Sequence, residues 1–270
     1  MTPTLLKADI AIDVDFATYN TYGANLTNAT AWAMAQMSAV SAVYVKEINC
    51  QLNISYLRVW TTQDPYGSTS GNTMLNQFRT EWTNNQGGVP RVVAHLLSRR
   101  QNLDVAGIAY LGVLCSTNLG YGLSATLTGS APSLPNYTYD VETTAHEIGH
   151  NFGSQHTHNC GWVGGPIDTC VEIEGGCYSG PLHPTVGTIM SYCDISGSGG
   201  SVIMTFGPQP GTLIRNNAEG AGCISVNDRA ILLALPKGGE TFRTGNTAAV
   251  WWGSNSSAIK TIFRTARTQK

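Results

Sequence analysis

Residues 8–15 (Ala-Asp-Ile-Ala-Ile-Asp-Val-Asp) set apolar against acidic positions, the two-residue period of a strand with one face on a core. Residues 28–49 carry Trp32, Ala35, Met37, Val40, Val43 and Val45 among further alanines, which predicts a long helix. Residues 52–61 return to alternation and read as a second strand. Asp64-Pro65-Tyr66-Gly67 is a turn sequence. Met74, Leu75, Phe78 and Trp82 at helical spacing place a helix over 73–84. Residues 91–97 form an apolar run that reads as a buried strand, with His95 as a core histidine. Residues 107–115 read as a strand with small residues near both ends, and 121–127 as the next. A Pro- and Asn-containing loop follows at 134–139. Asp140 then stands where it can cap a helix, and Glu142 where it complements the helix dipole. Residues 157–187 are rich in Gly and Cys with little periodicity, and 212–221 read as a closing helix stopped by Gly222.

The helix expected after residue 140 carries the chemistry. His146-Glu147-Ile148-Gly149-His150-Asn151-Phe152-Gly153-Ser154-Gln155-His156 fills every position of H-E-x-x-H-x-x-G-x-x-H. His146 and His150, four apart on a helix, stack on one face and can hold one metal ion. Gly153 can end the helix with a positive φ, so that His156 turns back to the same ion. Three neutral imidazoles suit Zn²⁺ and leave a fourth position for water, the pattern of a catalytic site. Glu147 stands beside it as a general base. Average residue usage gives H-E-x-x-H by chance in on the order of one in a hundred chains of this length, and the longer motif in roughly one in a hundred thousand.

The extended motif resembles that of the metzincin zinc endopeptidases, which also carry a Met-turn beneath the histidines. Gly187-Thr188-Ile189-Met190-Ser191-Tyr192 matches that turn, making Met190 its methionine. The order of elements over roughly residues 8–227 resembles the reprolysin (adamalysin) branch, peptidase family M12B. The resemblance implies an α/β (α+β) fold of the metzincin type: a twisted, mixed, mostly parallel sheet of five strands with long helices, and zinc in a cleft above a small irregular C-terminal subdomain. It implies that Gly107, Ile108, Ala109 and Tyr110 lie on an edge strand along which a peptide binds antiparallel; the residues alone would equally fit a central strand. It implies that Cys115 pairs with Cys223. A structural Ca²⁺ is a further implication, with Asp13 or Asp15 and Asp104 as ligands. Tyr192 matches a tyrosine that in astacins and serralysins binds the metal or the oxyanion; a packed aromatic is the plain reading, and reprolysins usually lack it. Thr157 departs from the reprolysin pattern, which has Asp after the third histidine to anchor the Met-turn region. Residues 236–252 resemble the opening strands of a bacterial β-sandwich, so 1–227 read as the catalytic domain and 228–270 as a truncated second domain or a tail.

Composition narrows the class further. Charged residues are only 12% of the chain and the formal net charge is −2, with no basic stripe, so nucleic acid is not an expected partner. No stretch approaches the ~20 apolar residues of a membrane span. Seven cysteines without a C-x-x-C pair read as disulfides of a secreted protein, with Cys50 left over. Cys160, Cys170, Cys177 and Cys193 allow three pairings, between which the sequence does not choose. Met1 is not followed by an apolar signal region, so a mature form without its targeting segment is expected. His158 and His183 are read as non-ligands. The expected function is a secreted, monomeric zinc endopeptidase acting on protein or peptide substrates. A zinc-bearing binding module is the competing class, disfavoured by the presence of Glu147; a zinc hydrolase for other bonds is the third.

Overall fold

The computed structural model describes residues 4–195 and 197–227. The expectation of a second domain over 228–270 falls outside them. The chain runs β1 (Leu6–Val14), α1 (Phe16–Thr21), α2 (Leu26–Ile48), β2 (Cys50–Val59), α3 (Gly71–Asn85), β3 (Val93–Leu97), β4 (Gly107–Ala109), β5 (Tyr121–Ser124), α4 (Tyr139–Asn151), β6 (Val186–Gly187), β7 (Ser201–Val202), α5 (Pro208–Gly220) and β8 (Ser225–Val226). The main sheet has the order β2-β1-β3-β5-β4, and β8 adds to the start of β1. The β1–β2, β1–β3 and β3–β5 pairs are parallel, while β4 pairs antiparallel with β5 and lies at the edge.

Helices cover both faces of the sheet. Ala8, Ile10, Ile12 and Val14 of β1 pack with Trp32, Met37, Val40 and Tyr44 of α2 and Val141, Ala145 and Ile148 of α4. Ala11 on the opposite face joins Met74, Leu75, Phe78 and Trp82 of α3. From Ile10 onward the half-solvated strand expected at 8–15 is therefore buried on both sides, and Asp9 alone in it stays partly exposed. Its acid on the α3 face is satisfied internally: Asp13 accepts from Arg58 Nε (3.1 Å), Tyr66 Oη (2.8 Å) and Trp82 Nε1 (2.9 Å). The acids implied as calcium ligands thus have protein partners, and a calcium site gains no support. Asp13 is committed to a buried ion pair with Arg58, and Asp104 accepts the Gly71 amide of α3 at 2.7 Å. Asp15 accepts from Thr18 N and Ser98 Oγ. Among the described residues none of the three joins a cluster of metal-capable side chains.

Two local readings also change. The strand expected over 107–115 stops at Ala109, because Gly112 (φ +65°) and Cys115 (φ +64°) adopt left-handed backbone that cannot continue a strand. The chain instead turns over the C-terminus of α4, where Gly112 N and Val113 N donate to the carbonyls of His150 and Asn151 at 2.9 Å. Asp140 does not cap α4. Thr138 occupies the N-cap position, and Asp140 accepts from the amides of Thr128 and Gly129 at 2.7 Å, tying the preceding loop to the helix.

Between residue 157 and α5 the chain is largely irregular, apart from the short β6–β7 pair, and is held by covalent bonds. Cys160 pairs with Cys177, Cys170 with Cys193, and Cys115 with Cys223, the last as the resemblance implied. Cys50 is free and buried. No helix among the described residues is long and apolar enough to cross a membrane.

Candidate metal centre and its surroundings

Every residue of α4 but Tyr139 and His150 is buried, unusual for a helix so rich in polar side chains. Its polar groups are therefore tied down. Gln36 of α2 donates to Thr144 Oγ1 (3.2 Å), and Tyr44 Oη donates to the Ala145 carbonyl (3.0 Å). The helix ends at Phe152, and Gly153 follows at φ +99° with its amide on the His150 carbonyl at 2.8 Å. A Cβ at Gly153 would lie 2.3 Å from Asn217 Nδ2, so space as well as backbone requires glycine.

That turn brings His156 to His146 and His150. Each imidazole has its Nδ1 committed: His146 to the Ile189 carbonyl (2.6 Å), His150 to the Ser154 carbonyl (2.7 Å) and His156 to Glu174 Oε1 (2.7 Å). A carbonyl or carboxylate can only accept, so each Nδ1 carries the proton and each Nε2 presents a lone pair. The three Nε2 atoms face one another, with His150 3.0 Å from His146 and 3.1 Å from His156. Burial and mutual repulsion push the His146 and His150 imidazoles below the usual range, His150 to about 4, so both are neutral at pH 7. Three converging lone pairs without a proton between them call for a cation. Nitrogens 2.0–2.1 Å from a tetrahedral zinc stand about 3.3 Å apart, close to the spacing here. The set fits zinc, and these are the residues that could hold it.

Glu147 is buried beside the histidines, and its Oε2 has no protein partner. Desolvation pushes its carboxyl well above the usual range. It lies against the edge strand: a Cβ at Gly107 would stand 2.5 Å from Glu147 Oε1. Only glycine at 107 lets β4 approach the carboxylate this closely. The β4–β5 pairing also sorts the four edge-strand residues. Tyr110 N bonds to its opposite number Tyr121, and Ala125 N to Ala106, so Ala106, Ile108 and Tyr110 turn their main chain toward β5. Gly107 and Ala109 turn theirs toward the free edge, whereas the Ile108 and Tyr110 side chains pack into the α3 core.

Met190 is fully buried beneath α4, and a Cβ at Gly149 would lie 2.7 Å from its sulfur. The glycine between the two helical histidines is what admits the methionine, a role the sequence motif does not specify. Tyr192 is half-buried with its ring stacked on His146 (centroids 5.7 Å apart, 13° between planes) and 4.4 Å from His156. Burial, then the Glu147 carboxylate, push its hydroxyl above the usual range. The missing Asp after the third histidine is made good otherwise. Thr157 N donates to the Met190 carbonyl at 2.9 Å, and the Thr157 hydroxyl donates to Asp168 from the following loop. Asp168 and Glu174 are site residues that sequence reading missed; each lies in a stretch with no periodicity and no motif. His95 is fully buried against Ser124 Oγ at 2.9 Å, its imidazole pushed down to about 3 by burial, and lies in the core. His158 is buried against His156, and its Nε2 lies 3.5 Å from Glu174 Oε1.

Sheet, histidine helix and methionine turn together make a metzincin-like fold. The chain belongs to metallo-peptidase family M12, whose Reprolysin_5 model matches residues 5–206. It is similar to the snake venom metalloproteinase trimerelysin-2 of Protobothrops flavoviridis, 24% identical over 157 residues that cover 55% of this chain and 72% of the venom protein. Among solved structures it is similar in fold to a chain of a chaperone-substrate complex, with a TM-score of 0.53 and 14% identity, covering 82% of this chain. The present chain spans 35% of that one, and the likeness concerns the fold alone.

Proposed function

We propose that this metallopeptidase is a secreted zinc endopeptidase that cuts internal peptide bonds of proteins, with Glu147 as general base. The observation that carries the reading is the set of three Nε2 lone pairs of His146, His150 and His156, fixed by bonded Nδ1 atoms beside a buried carboxylate. His146, His150 and His156 would hold the zinc, which when bound would supply Lewis-acid polarisation of the scissile carbonyl and a more acidic water. The chain's own groups do the rest. Gly107 and Ala109 offer outward amides and carbonyls to an extended peptide, which adds as a strand beside β4. Glu147, whose second oxygen has no protein partner, takes the proton from the attacking water and passes it to the leaving amine. The Tyr192 hydroxyl is the candidate donor to the tetrahedral oxyanion. The three disulfides and the venom relative support an extracellular setting.

Casein or gelatin hydrolysis tests the reading. Cleavage by the purified protein is expected to stop on removal of zinc by a chelator and to return on adding it back. Glu147→Gln is expected to bind zinc normally and to lose about 10²–10⁴-fold in kcat. Zinc binding by the wild type without cleavage of any protein or peptide would turn the assignment toward a binding module or another hydrolase.

A further inference from the structure

The Nδ1 partners of His146 and His150 are main-chain carbonyls of the Met-turn and of the helix exit. The partner of His156 is different in kind: a carboxylate 18 residues downstream, in a loop with no regular structure. Glu174 is held in place from both sides. Its amide donates to the His158 carbonyl (3.2 Å), and its carbonyl accepts from Cys160 N (2.9 Å), a bridge to the segment immediately after His156. Asn159 Nδ2 donates to its other carboxylate oxygen at 3.0 Å. The Cys160–Cys177 disulfide closes the loop around it. Gly175, at φ +96°, lets the chain pass the staple, since a Cβ there would come within 3.0 Å of Cys160 Cβ. The Glu174 side chain is 41% exposed, so the loop and not burial sets its position.

We infer that Glu174 is a positioning residue for the metal: it fixes the ring orientation and tautomer of His156 and strengthens it as a ligand, and the Cys160–Cys177 staple serves to hold that carboxylate. The inference rests on the zinc reading above. A carboxylate accepting Nδ1–H leaves Nε2 as the free lone pair, aims it, and puts more electron density on it than a carbonyl does. His146 and His150 are aimed by a rigid helix and its turn. His156 sits beyond Gly153 on irregular chain, where nothing else among the described residues bonds its Nδ1. Affinity for the ion therefore depends on a loop whose shape is covalently enforced.

The experiment is zinc affinity by competition with a chromophoric chelator, together with the visible spectrum of the cobalt(II)-loaded protein. The comparison is among wild type, Glu174→Ala and Glu174→Gln. Glu174→Ala is expected to bind zinc about 10–100-fold more weakly and to shift the cobalt spectrum, with the melting temperature of the metal-free protein unchanged. Glu174→Gln, whose amide oxygen can still accept from Nδ1, is expected to recover most of the affinity and the spectrum. A Cys160→Ala/Cys177→Ala variant is expected to weaken zinc binding, with little further loss when Glu174→Ala is added, because both act through one contact. Affinity and spectrum unchanged in Glu174→Ala overturn the inference, as does a loss shared equally by Glu174→Gln and matched by a fall in metal-free stability. A wild type that binds no zinc overturns the zinc reading itself, a distinct result.

Discussion

Tyr192 and Gly149 divide sharply in what their identity demands. Gly149 sits between two histidines that any reader of the motif would mark, yet its own requirement comes from below, where the Met190 sulfur occupies the space of a Cβ. No spacing rule carries that information, since it arises from a contact 41 residues away in the chain. Tyr192 was visible as an aromatic two residues past the methionine, and its stacking on His146 is compatible with packing alone or with catalysis. Replacement by Phe separates the two. The stacked ring survives, so zinc affinity and stability are expected to hold. Loss of the hydroxyl is expected to lower kcat by about 10²-fold if it meets the oxyanion. An unchanged kcat would make it a packing residue. The three histidines and Glu147 were legible because helix geometry fixes which residues share a face. Asp168 and Glu174 were not, because their places are set by disulfides and loop turns that leave no periodic trace.

At the level of elements, helices were legible to within two or three residues where a long apolar period ran uninterrupted, as in α2 and α3. The strand expected over 107–115 is cut short at Ala109. Its apolar run was real, but the residues from Leu111 onward leave the sheet, with Gly112 and Val113 bonded to the end of α4, and left-handed backbone at Gly112 breaks the ladder. A strand of three residues is therefore all that β4 presents at the edge. Only Gly107 and Ala109 face outward along it, so the main-chain grip on a peptide is short and each bond counts. Ala109→Pro removes one outward N–H without touching the β5 ladder. It is expected to lower kcat/KM about tenfold, the worth of one lost hydrogen bond, with zinc affinity unchanged. An unaltered kcat/KM would place the peptide elsewhere.

Over the whole molecule, the class of sheet was legible through the family resemblance that the zinc and Met-turn motifs carry, whereas the burial of β1 on both faces from Ile10 onward was not. Acidic positions in an alternating strand ordinarily mark a solvated face; here α3 covers that face, and Arg58, Tyr66 and Trp82 satisfy Asp13 within it. The longest cross-link, Cys115–Cys223, spans 108 residues and ties the turn that caps α4 to the end of α5. Closing so long a loop constrains the unfolded chain strongly, and Cys115→Ala/Cys223→Ala is expected to cost about 2–5 kcal/mol, measured by chemical denaturation of the metal-free protein. A cost near zero would mean that the unfolded chain already holds these ends close.

The odd thiol has a consequence for how the bridges are made. All six paired cysteines lie at or beyond residue 115, and Cys50 opens β2, enclosed by β1 and α2 with its thiol pushed up to about 12 by burial. Thiol–disulfide exchange needs a thiolate that can reach a sulfur. The β1–α2–β2 unit lies between residues 6 and 59, and none of its residues takes part in a bridge. In the folded chain this thiol is withdrawn from exchange, which leaves the six bridged cysteines to one another. The strand pair that builds the core thus also shelves the odd thiol, and the bridges around the loops of Asp168 and Glu174 are expected to resist reshuffling until that core opens.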